Sequence, residues 1–403
     1  MKAIYLDHQA TTPLRPEVLE AMRPYFVGSF GNASSLHRLG LEARDALEKA
    51  RQQVATFIHA ASLEEIFFTS GGTEVTNLAI KGAAWAGRRR GNHLVVSTTE
   101  HPAVLRSVEF LESQGFRATK VKVNEVGRID PQTIAQAVTD ETCLIAIHHA
   151  NHETGVIQPV LEIADNAADR GVPLFIDATM SAGWLPVDVS QWGSALVALT
   201  PHRFYGPKGV GILYKNRRVR LTPLMHGGDQ EDQLRAGTEN LPAIVGAGVA
   251  CEIAGRELPQ RRERTGQLQE QLWNGLRSRV PYVRLNGPEP GPDRLPTVLN
   301  VSFEFVEGEG MVLMLDVQGI AVASGSACIS RSLKVSPVLE AMGIDDSLAR
   351  GSVLFSPGAE NTLDEIHLTI DAVVNVVERL RALSPAWDDF QRGTVASIIS
   401  PRR

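Results

Sequence analysis

The residues best suited to chemistry lie in Thr200-Pro201-His202-Arg203-Phe204-Tyr205-Gly206-Pro207-Lys208-Gly209, between the apolar runs 194–199 and 210–214. A polar loop joining two buried strands is where α/β folds present reactive groups. Ser70-Gly71-Gly72-Thr73-Glu74 follows another apolar run and opens a helical stretch. Its glycines let the backbone approach a ligand, and the free N–H groups of a helix start favour phosphate. His101, in Thr99-Glu100-His101-Pro102, and Asp177, after Leu174-Phe175-Ile176, stand at two more strand ends. At such ends a capping role competes with a place in a pocket.

Of three cysteines, Cys143 lies in a strand-like apolar run and Cys251 in a helical one, which marks both as packing residues. The spacing fits no zinc pattern and the three cannot all pair. Cys328 differs. Its neighbours in Ala323-Ser324-Gly325-Ser326-Ala327-Cys328-Ile329-Ser330 are small, which points to an accessible loop and a thiol free to react.

These groups need a scaffold. Strands are predicted at 66–69, 94–97, 144–148 and 174–176, alternating with helices at 75–88, 103–114 and 161–170. That alternation predicts an α/β protein with a mostly parallel sheet covered on both faces. A helix at 41–58 leads in from an N-terminal arm, and a long helical stretch covers 243–279. The Pro/Gly-rich run 287–296 ends it, and strand-like 297–303 opens a smaller α+β domain. The predicted division is a large domain of residues 16–259, a small domain of 1–15 and 260–390 that includes the arm, and a tail of 391–403.

Segment 200–209 resembles the cofactor-lysine loop of the cysteine desulfurases, the NifS/IscS family of the class V aminotransferase fold. Further likeness lies in Leu6-Asp7-His8-Gln9-Ala10-Thr11-Thr12-Pro13, Gly31-Asn32-Ala33-Ser34-Ser35-Leu36-His37, Phe175-Ile176-Asp177-Ala178-Thr179 and Arg235-Ala236-Gly237-Thr238. In all it spans residues 3–390. The resemblance implies a fold-type I PLP-transferase and the cofactor pyridoxal phosphate (PLP). By that likeness Thr73, Thr200 and His202 bind the cofactor, His101 stacks on its ring and shuttles protons, and Asp177 holds its ring nitrogen protonated. Asn32 contacts substrate, and Thr238 reaches the phosphate of a neighbouring subunit, which implies a homodimer. Cys328 takes the substrate's sulfur as a persulfide.

Five positions depart from the family pattern. Arg203 stands where the family has the lysine that holds PLP as a Schiff base, and a guanidinium has no lone pair for that bond. Met180 replaces a glutamine and His152 an asparagine at the cofactor edge; Leu354 replaces the arginine that clamps the substrate carboxylate, and the next family arginine is Ala359. Lys208, five residues after Arg203, matches a lysine the family also has. These substitutions suggest a desulfurase-like homodimer that has lost cofactor-dependent turnover. It would act in sulfur transfer or iron–sulfur cluster assembly through Cys328, as persulfide carrier or as a ligand of a cluster shared with a scaffold protein. Its other expected partners are a sulfur acceptor or an active desulfurase. The alternative is an active PLP-dependent desulfurase, forming L-alanine and a persulfide from L-cysteine, with non-standard cofactor binding.

Bulk properties narrow the setting. With 403 residues, 43% of them hydrophobic, the chain can bury a sizeable core. A net charge of −6 gives no basic footprint for nucleic acid. No apolar run is long enough to span a membrane and the N-terminus does not read as a signal peptide, so the expected compartment is the cytoplasm. Arg88-Arg89-Arg90 and Arg261-Arg262-Glu263-Arg264 read as solvated helix ends or faces.

Overall fold

The computed structural model describes residues 3–324 and 335–399. Its strands in chain order are β1 (Ile4–Tyr5), β2 (Ile66–Thr69), β3 (His93–Ser97), β4 (Arg117–Val121), β5 (Thr142–His148), β6 (Leu174–Asp177), β7 (Ala195–Leu199), β8 (Gly211–Lys215), β9 (Val283–Asn286), β10 (Leu299–Phe303), β11 (Ile320–Ala321), β12 (Ala323–Ser324) and β13 (Ser352–Phe355). Seven of these make one sheet in the order β2-β8-β7-β6-β5-β3-β4, and four make a second, β12-β13-β10-β9. In the large sheet only β8 runs antiparallel, against both β2 and β7. The carboxyl ends of β2, β3, β5, β6 and β7 therefore all open on one edge, where ligands bind in such sheets.

Both faces of the large sheet are covered, and its strands alternate between two cores. Phe68, Val95, Ile145, Ile147, Ile176, Val197 and Ile212 pack towards the helices Arg38–Phe57 and Leu241–Arg279. Phe67, Leu94, Val96, Leu144, Phe175, Leu196 and Leu213 pack towards the helices Gly72–Ala86 and Pro102–Ser113. Period-two alternation with both sides apolar gives the continuous hydrophobic runs seen in the sequence. A third core joins Leu268, Leu272, Trp273 and Leu276 to Val301, Phe303, Phe355, Val373 and Leu6. The helix Leu241–Arg279 thus serves the sheet core with its first half and this core with its second, with Pro259 between.

The predicted strands and helices are present with ends shifted by a few residues. Strands β4, β9, β11, β12 and β13 were not expected. β4 is an edge strand of sequence Arg-Ala-Thr-Lys-Val, mostly solvent-facing, so it has no hydrophobic signature. Cys143 and Cys251 are buried as predicted, and burial raises the Cys143 thiol to about 11. Arg261 corrects the reading of its run as a solvated face. It is buried, ion-paired with Glu257 at 2.9 Å and 5.1 Å above the Tyr205 ring. Among the described residues no helix is long and apolar enough to cross a membrane.

Candidate active site

The turn after β2 starts the helix Gly72–Ala86 with Gly71 at the cap and no side-chain cap bond, so its first N–H groups face the sheet edge unclaimed by a cap. Gly72 lies against the ends of β6 and β7, since a Cβ on it would fall 3.4 Å from Thr179 Cγ2 and 3.5 Å from Thr200 Cβ, in ordinary contact. Thr200 is buried at the end of β7, and its Oγ1 has no hydrogen-bond partner among the described residues. A buried hydroxyl beside a helix start is a cradle for an anion. Thr73 is exposed on the first turn of the same helix. Glu74 ties the turn down by accepting from Ser70 N–H at 2.9 Å and Arg235 Nε at 2.9 Å. That ion pair also brings the Arg235–Thr238 segment to this edge, with Thr238 exposed.

Asp177 ends β6 and is buried; its Oδ1 accepts from Thr179 N–H at 2.9 Å and Thr179 Oγ1 at 2.6 Å. His101 caps the helix Pro102–Ser113, its Nδ1 accepting from Ala103 N–H at 3.1 Å. The His101 ring also lies near the charges of Asp177 and Arg203. Burial lowers its pKa, Asp177 opposes that, and Arg203 adds to it. The His152 ring lies 5.1 Å from the His101 ring, edge to face. Burial, then the charges of His101, His148 and Arg203, hold His152 neutral.

Sequence reasoning missed a layer beneath. Glu100 is fully buried, and its Oε1 accepts from His148 N–H at 3.1 Å and lies 2.7 Å from His148 Nδ1. Burial raises the Glu100 pKa, and His148 works against it. Glu153, also buried, is raised to about 7 by burial, with the hydroxyl of Ser336 donating to it. The available signal was polar residues at the ends of apolar strands, Glu100 beside His101 and His148 closing β5.

His202 and Arg203 sit in the turn Pro201–Arg203 that follows β7. His202 Nδ1 lies 3.2 Å from Thr11 Oγ1, and the His202 carbonyl accepts from Thr12, tying the loop to the N-terminal segment. Burial, Arg203 and Lys208 push the His202 pKa down to about 4. Arg203 is half-buried, and its carbonyl accepts from Trp184 Nε1 at 3.0 Å. Its cation reaches Asp7, Tyr5, His101, His152 and His202. Met180 and Leu354 join a single apolar cluster with Trp184, Tyr205 and Val298, against which Ala359 packs. Lys208 is exposed and lines a cavity with Tyr5, His8 and Thr11.

One edge of the sheet thus gathers Thr73, His101, His152, Asp177, Thr200, His202 and Arg203. Asn32 is exposed and accepts from Ser34 N–H, holding its own turn. Cys328 lies outside the described residues.

A family model described as aminotransferase class-V matches residues 4–368. The chain belongs to that family. A cysteine desulfurase IscS of Dictyoglomus turgidum is 44% identical over 390 residues, covering 97% of this chain and 98% of the relative. Another, from Anaeromyxobacter sp. (strain Fw109-5), is 46% identical over 399 residues, covering 98% of each. A solved structure of a NifS-like protein superposes with TM-score 0.87 at 33% identity, over 94% of this chain and all of that one. This member of the class V aminotransferase family is thus similar over 97–98% of its length to cysteine desulfurases, whose family cofactor is PLP.

The residues present fit part of that cofactor. The unpartnered Thr200 hydroxyl beside the uncapped helix start suits a phosphate. Asp177, bonded through Oδ1, has a second oxygen for a ring N–H, and His101 stands close by. The fit ends at the aldehyde, where a guanidinium cannot bond.

Proposed function

We propose that this chain is a cysteine desulfurase of iron–sulfur cluster assembly that holds PLP without a covalent link at position 203. The supporting observation is the convergence of Thr200, Asp177 and His101 on one sheet edge, in a chain related to desulfurases over 97% of its length. Bound PLP supplies an electron sink for the bonds at an amino acid's α-carbon. Thr200 and the Gly71-Gly72-Thr73 turn would hold the phosphate, and Asp177 would keep a proton on the ring nitrogen. His101, neutral at pH 7 with Nδ1 engaged by Ala103, keeps Nε2 for proton exchange. Arg203 supplies a fixed positive charge and cannot relay protons, so turnover is expected to be slow. Cys328 would receive the sulfur and pass it to an acceptor or scaffold protein.

The long-range likeness favours this reading over that of a chain without turnover. The latter retains a specific motive: Arg203, Met180, His152 and Leu354 all depart from the family pattern around one pocket. On that second reading Cys328 carries sulfur made elsewhere, or binds a cluster, and the chain pairs with an active desulfurase. Incubating the purified protein with PLP and L-cysteine and measuring alanine separates the two. Alanine above the level formed by free PLP alone supports the first. Alanine at that background level, with Cys328 still accepting persulfide from an active desulfurase, supports the second.

We further propose a homodimer. Phe26, Val27, Phe30 and Leu36 are all large, apolar and more than 60% exposed, close together in sequence, which marks an interface. Thr238, exposed at the sheet edge beside Glu74 and Arg235, would then complete the partner's phosphate cradle.

A further inference from the structure

Behind the loop that carries Arg203 lies a separate cavity of about 160 Å³ into which Arg15, Arg261 and Arg264 all face. The Arg261 side chain is only 3% exposed. Its Nε and Nη2 both donate to Glu257 Oε2, at 3.0 and 2.9 Å, and the same oxygen receives Arg15 Nη1 at 2.5 Å. One carboxylate oxygen thus serves two cations. Arg261 Nη1 is buried and has no hydrogen-bond partner among the described residues. The Tyr205 hydroxyl, on the same wall, accepts from Ala359 N–H at 2.7 Å and keeps its own proton to donate. Arg264, exposed at the rim, donates through Nη2 to Asn361 O at 2.9 Å. Glu257 and Glu360 are the acidic groups of the wall, so three guanidinium groups against two carboxylates leave one positive charge.

We propose that this cavity binds a small oxyanion, held by Arg261 Nη1, the Tyr205 hydroxyl and Arg264. A buried charged donor without an acceptor is unfavourable, and a convergent set of donors with surplus positive charge selects an anion. The space suffices for one tetrahedral oxyanion with some water, since each water in the liquid occupies roughly 30 Å³. Ala359 keeps the cavity open, being the small residue on that wall. The site is distinct from the phosphate cradle at Thr200, because neither Thr200 nor the Gly71-Gly72-Thr73 turn lines it and Glu257, Gln260, Arg261 and Arg264 of the Leu241–Arg279 helix do.

The test uses inorganic sulfate as probe. The full-length protein is titrated calorimetrically with sodium sulfate against sodium chloride at matched ionic strength, alongside Arg264→Gln, Ala359→Leu and Thr200→Ala. Wild type is expected to show two saturable sites, the cavity and the cradle at Thr200, and Thr200→Ala to keep the cavity site alone. Arg264→Gln, an exposed change that leaves the core intact, weakens it roughly ten- to a hundredfold through loss of one charge-assisted contact. Ala359→Leu fills the space and removes the cavity site. Absence of saturable sulfate binding to the wild type overturns the proposal. So does equal binding in both cavity variants, or binding lost on Thr200→Ala.

Discussion

At the scale of single residues, position 203 carries the proposed limit on turnover. Lysine and arginine share a charge but not a lone pair, and only an amine can both bond an aldehyde and relay protons. Arg203→Lys is therefore expected to raise alanine formation from cysteine by roughly a hundredfold or more, the ordinary worth of a positioned acid–base group. The variant should also retain yellow PLP through dialysis where the wild type loses it. A rate unchanged by this substitution would place the defect elsewhere in the pocket. Leu354 sets the second limit. It faces an apolar cluster with Met180 and Trp184, so nothing there pairs with a substrate carboxylate. Adding Leu354→Arg to Arg203→Lys should lower KM for cysteine by roughly tenfold or more, as a bidentate charge-assisted contact returns. Steady-state kinetics on both variants checks this.

The elements place these residues by one rule, the common direction of β2, β3, β5, β6 and β7. Their ends deliver the glycine turn, His101, His148, Asp177 and Thr200 to a single edge. The turn after β7 is shaped from behind. Tyr205 has φ +71°, unusual for a tyrosine, and is held there by Thr12 Oγ1 accepting from its N–H and by Ala359 donating to its hydroxyl. Gly183 packs directly under the same turn with φ +81°, and a Cβ there would fall 2.4 Å from Phe204 Cβ. Gly183→Ala is therefore expected to cost about 1–3 kcal/mol by overpacking and left-handed strain. Urea unfolding measures the loss. Much of this level was legible beforehand: the glycine turn, the strand ends and the alternating helices each carry a local signature. Arg261 was not, because a charged run in a helix looks solvated until the fold brings Glu257 and Tyr205 against it.

The whole molecule adds two properties that no segment holds. One is a pH dependence set by buried groups of opposite sense. His149 and His202 have folded values of about 4, depressed chiefly by burial, so the unfolded chain alone takes up protons between about pH 6.5 and 4. Their contribution is complete above the unfolded value and is lost as pH falls through that window. Glu153 acts in reverse. Its folded value of about 7 exceeds the ordinary 4.5, so its contribution is present below 4.5 and is lost as pH rises towards 7. Glu153→Gln removes that opposing slope, and the rise in melting temperature between about pH 5 and pH 7 should be larger in the variant than in the wild type. The second property is assembly. Sedimentation is expected to give a dimer, and Phe30→Asp with Leu36→Asp to give monomers; a wild-type monomer would remove Thr238 from the phosphate cradle.

The amino-acid order alone determined the family, the parallel sheet, the helix-start glycines and the identity of the residue at 203, because each is written in local pattern or residue type. Tertiary structure decided the rest. It took distance and burial to pair His148 with Glu100, to leave Thr200 Oγ1 and Arg261 Nη1 without acceptors among the described residues, and to turn Met180 and Leu354 into one apolar wall. Those outcomes depend on which groups lose water together, and groups far apart in the chain lose it together only once the sheets and helices have packed.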